Sequence, residues 1–215
     1  MPFRPNSDGR RQTREDFIHP HLAEGTLRLP DGQRAAVLPG TFLPLLTAEL
    51  LPPLGDHTRH ALYKFGYEWA LQDLVRLSRQ LADEFGGGAN LDLWQMDAKF
   101  VLDRWWSPLR ASGWGACTLD LSSLSRGFAF VEVHHSLAAA HASGATQPAC
   151  HLYAGLFAGA LSFFERVERH AIEFQCAALG APSCRFAVGP GPQMDEVESW
   201  RQQHVAADEI RRRLA

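Results

Sequence analysis

The hydrophobic pattern along the chain switches between two periods, and each switch marks an element boundary. Thr26-Leu27-Arg28-Leu29 and Gln33 to Leu38 are short alternating runs around Pro30-Asp31-Gly32, the pattern of a β-hairpin. Helical patterns follow over 41–51 and 56–85, divided by Pro52-Pro53 and Gly55. In the longer one, Leu62, Phe65, Trp69, Leu74, Leu77 and Leu81 recur at three- and four-residue spacing, the stripe of a helix facing a core. Gly86-Gly87-Gly88 ends it. No strand precedes this triplet and no Gly-Lys-Ser/Thr follows, so it reads as a linker and not a phosphate loop.

A third helix is predicted over 91–111, ending in Trp105-Trp106 ahead of Gly113-Trp114-Gly115. Residues 116–121 and 127–133 have strand composition, with 122–126 as their turn. His134-His135-Ser136 lead into an Ala-rich helical stretch to about His141, and an apolar helix runs over 150–168. Its Gly155 and Gly159 are four apart, a spacing that predicts close packing on a sheet. Strands over 170–178 and 184–188 flank Gly180-Ala181-Pro182-Ser183, and a charged helix over 193–214 closes the pattern. Antiparallel hairpins without a βαβ rhythm give an α+β class. The expected organisation is a flexible arm over 1–22, one domain over 23–190 and an amphipathic C-terminal helix over 191–215.

Composition narrows the function classes. The chain has 215 residues, 46% hydrophobic and 21% charged, with a net charge of −3. That is enough for one substantial core without disulfides, and no basic field advertises direct nucleic-acid binding. The polar, Arg-bearing start has no signal-peptide h-region, and no eighteen apolar residues run together. The expected location is therefore the cytoplasm, where thiols stay reduced. Six Trp and thirteen Phe point to an aromatic interior.

Three of the four cysteines, Cys150, Cys176 and Cys184, fall within thirty-five residues, and Glu173 sits three before Cys176. Cys150 opens a helix, while Cys176 and Cys184 flank one turn. Three thiolates and a carboxylate would give Zn²⁺ four ligands in a closed, structural site. On an ideal strand Glu173 and Cys176 point to opposite faces, so a bulge is required to bring both to one ion. On spacing alone, unpaired core cysteines and disulfide chemistry stay open beside the metal reading. His151 and His170 are spare ligand candidates, and Cys117 reads as a core thiol. His57 and His60 lie three apart at a helix start, where solvated residues are the ordinary reading.

The stretch Cys150-His151-Leu152-Tyr153-Ala154-Gly155-Leu156-Phe157-Ala158-Gly159, followed by Glu173-Phe174-Gln175-Cys176-Ala177-Ala178-Leu179-Gly180 and Cys184-Arg185-Phe186, resembles the 4-vinyl reductase (V4R) domain family. Gly113-Trp114-Gly115 and the strand ending in His135-Ser136 resemble its middle section. The resemblance implies a fold related to Bet3-like vesicle-tethering and nitric-oxide-signalling ligand domains, with helices packed on a twisted antiparallel sheet. It is also similar to the domain by which phenol-sensing bacterial regulators bind an aromatic effector. That domain holds a structural zinc on one Glu and three Cys, a ligand set that matches Glu173, Cys150, Cys176 and Cys184.

No GxGxxG after a strand, no iron–sulfur cradle and no local Ser/His/Asp motif offers a catalytic centre, and no catalytic residue is assigned. Small-molecule sites are mostly apolar with a few placed polar groups. Trp105, Trp106, Trp114, Phe130, His134, Tyr153 and Phe157 are the candidate ligand-binding residues, with Trp106, Trp114 and His134 as hydrogen-bonding tips. The expected function is a zinc-stabilised sensor or carrier of a hydrophobic or aromatic small molecule, acting as a homodimer. An enzyme or accessory factor of tetrapyrrole metabolism, and an interaction scaffold without ligand, are the alternatives.

Overall fold

A four-stranded antiparallel sheet with a nearly all-apolar helix against one face organises the larger part of the chain. The structure, a computed structural model, describes residues 19–29, 32–85, 93–142 and 144–214. Two compact units are distinguished, Met1–Leu38 and Pro39–Ala215.

In the first unit, β1 (His19–His21), β2 (Thr26–Arg28) and β3 (Arg34–Ala35) form an antiparallel sheet in that order. The hairpin between β2 and β3 is as the alternation predicts, closed by Leu29 N–H to the Gln33 carbonyl at 2.8 Å. Its Pro30 and Asp31 lie outside the described residues, as do residues 1–18 of the expected arm and the Gly86–Gly88 linker. Residues 19–21 of that arm are a strand paired with β2.

The second unit begins with α1 (Phe42–Leu54) and α2 (Asp56–Glu84). The break falls at Gly55, with φ of +53°, and not at Pro52-Pro53. Those prolines occupy the last turn of α1, where the carbonyls they leave unbonded belong to the solvent-exposed residues Ala48 and Glu49. α2 buries Ala70, Leu74, Leu77 and Leu81, whereas Phe65 of the expected stripe is 61% exposed. α3 (Ala98–Ala111) starts later than expected because the Asp97 carboxylate caps it, accepting from Phe100 N–H at 2.7 Å.

The sheet runs β4 (Ala116–Asp120), β5 (Ala129–His134), β7 (Cys184–Gly189), β6 (His170–Gln175), all antiparallel. Between β5 and β6 the chain forms α4 (Leu137–Ala140) and α5 (His151–Glu165). α5 is apolar all round and is sandwiched between α2 and the sheet, as such a helix must be. Its glycines pack on a helix, not on the sheet as the spacing predicts. A Cβ on Gly155 would lie 1.9 Å from the Tyr63 carbonyl oxygen, and one on Gly159 would lie 2.4 Å from that of Tyr67. Gly66 reciprocates from α2, 2.2 Å from the Leu152 carbonyl.

The strand alternation divides two cores. Ala129, Val131 and Val133 of β5, with Cys184, Phe186 and Val188 of β7, face α5. Phe130, Phe174 and Ala187 face the other way, onto Met194 and Val197 of α6 (Gly191–Gln202) and Ile210 and Leu214 of α7 (Ala207–Leu214). The expected single C-terminal helix is thus two, with His204 at φ +59° in the turn that folds α7 back under the sheet.

Candidate metal and ligand site

Four side chains from three elements meet at the edge of the α5 core. Cys150 caps α5, Glu173 lies in β6, Cys176 follows that strand, and Cys184 starts β7. A β-bulge between Glu173 and Gln175 supplies the register shift that the Glu-x-x-Cys spacing requires. Glu173 pairs with Phe186 and Gln175 with Arg185, so an extra residue on β6 returns Cys176 to the face that Glu173 occupies.

The ligand atoms of Cys150, Glu173, Cys176 and Cys184 all lie within 4.8 Å of one another, and all four residues are buried. The Cys150 and Cys184 sulfurs are 3.6 Å apart. A tetrahedron with metal–sulfur bonds of about 2.3 Å has edges of about 3.7 Å, so this pair is already at ligand spacing. Glu173 Oε2 accepts the Cys150 amide N–H at 2.9 Å, which orients the carboxylate. Its other oxygen, Oε1, is buried without a hydrogen-bond partner among the described residues. A buried carboxylate oxygen left unpaired is costly, and a cation at the centre of the group would satisfy it. The cluster could hold a metal ion.

Electrostatics point the same way. Burial, followed by the nearby Cys176, pushes the Glu173 carboxyl up to about 8. Hydrogen bonds from Cys150 and Cys184 hold the Cys176 thiol far below its ordinary range, while bonds to Cys176 and Cys184 raise that of Cys150. Without an ion, burial and mutual hydrogen bonding let one of the four acids ionise and keep the other three protonated; a divalent cation would displace those protons and neutralise all four ligands. His151 and His170 lie outside this group, and Cys117 is half-buried on β4.

Of the seven candidate ligand-binding residues, five come together. Trp105, Trp106, Trp114, Tyr153 and Phe157 form a ring cluster with centroids 5.4–6.5 Å apart, which Trp69 and Phe186 extend. Their polar tips mostly serve the backbone. Trp106 Nε1–H donates to the Gly115 carbonyl at 3.1 Å, and Tyr153 O–H to the Trp114 carbonyl at 2.7 Å. Trp105 Nε1–H is buried without an acceptor among the described residues. Phe130 and His134 are not part of this cluster, because alternation along β5 turns both toward the opposite face. Phe130 lies in the α6–α7 core, and His134 is half-exposed, 3.7 Å from Glu132.

Two cavities lie elsewhere in the same unit. One, of about 370 Å³, is bounded by α1, α2, α4, residues 144–149 and the start of α5. The other, of about 730 Å³, runs past Tyr63, His170 and Glu173 to α6. Neither is lined by the seven aromatic and histidine candidates; Arg59, Gln147, Pro148 and His151 border both. Burial, followed by the Arg59 charge, holds the His151 imidazole below its usual range. The sequence signal for the first cavity was the run of small residues over 138–149, which leaves room between helices.

Residues 129–190 match the V4R domain. The match covers β5, β6 and β7, α5 and all four candidate metal ligands, so the resemblance read from their spacing is shown. No curated protein matches the chain. Among solved structures, the phenol-responsive sensory domain of the transcription activator PoxR, crystallised with phenol, is similar at a TM-score of 0.61 and 20% identity. That likeness covers 85% of this chain and 89% of the PoxR chain, and it shows a shared fold. A vinyl-4-reductase family protein from Methanocaldococcus jannaschii aligns at 0.48 and 14%, over 72% and 82% of the two chains. A trafficking protein particle complex subunit 3 from Naegleria fowleri, covalently bound to palmitic acid, aligns at 0.44 and 13%, over 70% and 91%.

Proposed function

We propose that this chain is a small-molecule sensor or carrier whose V4R-like unit binds a hydrophobic ligand and is held in shape by zinc. The observation that carries the reading is the segment 148–151. Pro148, Ala149 and His151 line the 370 Å³ cavity, and Cys150 between them contributes its thiol to the four-residue cluster. A ligand that shifts this segment therefore acts on the start of α5 and on the β6–β7 turn together. The phenol-binding relative of the same fold supports the ligand class.

Cys150, Glu173, Cys176 and Cys184 would hold the ion. When bound, zinc neutralises the clustered thiolates and carboxylate and ties three elements to one point. Four protein ligands leave no position for water or substrate, so the centre is structural and the reading is binding, not catalysis. The homodimer and the cytoplasmic location expected from sequence belong to the same proposal.

Native mass spectrometry of the purified chain tests it. One zinc per chain is expected, in a dimeric species, with loss of the metal in Cys176→Ser. A metal-free protein whose Cys150, Cys176 and Cys184 all alkylate in the folded state would overturn the zinc assignment. Calorimetric titration with phenol and with aliphatic ligands tests the binding role.

A further inference from the structure

Glu173 differs from the other three members of its cluster in what it borders. Cys150, Cys176 and Cys184 are enclosed, and none of them lines either cavity. Glu173 lines the 730 Å³ cavity, so the carboxylate is the side of the cluster that this space reaches. Its Oε2 is held by the Cys150 amide at 2.9 Å, while Oε1 has no hydrogen-bond partner among the described residues. From Glu173 the cavity runs past His170 to α6, where Asp195 is exposed to solvent. Among the described residues three carboxylates and two guanidiniums border it, and Arg201 is bonded to Glu198 at 2.8 and 2.5 Å. Carboxylate oxygens and imidazole nitrogens are donors that divalent cations accept, so such a wall replaces part of an ion's water shell. The three cysteines belong instead to the apolar α5 core, through which an ion would lose that shell and gain no donors.

We propose that the 730 Å³ cavity is the route by which a divalent ion reaches the four-residue cluster, past Asp195 at the rim and onto the Glu173 carboxylate. The proposal rests on the zinc reading above and assigns a path to it. His151 and His170, which spacing offers as spare ligands, line this path and supply donors along it. Asp195 acts at the entrance, where a negative charge raises the local concentration of a cation.

Stopped-flow uptake of Co²⁺ by the metal-free full chain, followed by the thiolate-to-metal charge-transfer absorption, tests it. Asp195→Lys reverses a charge on the cavity wall, and Glu196→Lys makes the same change one residue along α6, outside the lining. Both positions are exposed, so both variants should fold. Asp195→Lys is expected to take up Co²⁺ at least about threefold more slowly than Glu196→Lys at low ionic strength, with the gap narrowing as salt is added. The final stoichiometry should stay at one ion per chain in both. A smaller gap, or one of opposite sign, at unchanged stoichiometry would overturn the route and leave the zinc reading standing. Failure of the parent chain to bind either Co²⁺ or Zn²⁺ would overturn both.

Discussion

Tyr153 shows how little of a polar tip's role is visible in residue type. Its ring belongs to the aromatic cluster, but its hydroxyl donates to the Trp114 carbonyl and accepts the Leu137 amide at 3.2 Å, joining α5 to the loop before β4 and to the start of α4. Burial raises its ionisation well above the ordinary tyrosine range, so the hydroxyl stays protonated and able to donate. Tyr153→Phe would keep the packing and leave the partly buried Trp114 carbonyl and Leu137 amide without this partner. A loss of about 2 kcal/mol is expected, read as a lowered urea midpoint with unchanged slope. Trp106→Phe should cost about 1 kcal/mol by releasing the Gly115 carbonyl. Composition identified these rings as an interior. Which carbonyl each tip would reach depended on loops whose course no periodicity encodes, and so Trp106 looked free to bind a ligand when it is committed to the backbone.

At the level of elements, the tightest constraint is the crossing of α2 and α5. Gly155→Ala would drive a methyl group into the Tyr63 carbonyl and force the helices apart. The expected cost is about 1–3 kcal/mol, and a chain of this size loses about 2–4 °C of melting temperature for each. On the outer face of the sheet, Glu132 of β5 accepts from Ser183 at 2.5 Å and from Arg185 at 3.3 Å. The Ser183 hydroxyl holds its carboxyl below the usual range; burial opposes this, and the Arg185 charge adds to the lowering. A lowered folded-state value means the stabilisation is complete above the ordinary glutamate range and fades as pH falls through the lowered one. Glu132→Gln should therefore melt earlier than the parent at neutral pH, with the gap closing on acidification. Most elements were legible because their periods were long and clean. The glycine pair was assigned to the wrong partner because spacing reports a close approach, not what approaches. The C-terminal break was missed because the apolar positions on both sides of His204 serve the same core and read as one stripe.

For the whole molecule, the four-ligand cluster joins the start of α5 to the β6–β7 hairpin through side chains from widely separated positions of the V4R match. On the proposed zinc reading, a chelator should lower the melting temperature by several degrees and raise hydrogen exchange over 148–151 and 173–184, with restoration by added zinc. Exchange confined to the chain termini would refute that coupling. The candidate ligands were readable in the sequence because a ligand set is a matter of spacing. The cavity beside them was not, since a void is made by side chains that are absent.

The bulge in β6 has one more consequence. Were β6 to zip onto β7 without it, Cys176 would point into the α6–α7 side and the carboxylate of Glu173 would face the ion with two thiols only. Metal affinity and strand register are thus a single choice, and the ion would act as a proofreader that rewards only the correctly paired sheet.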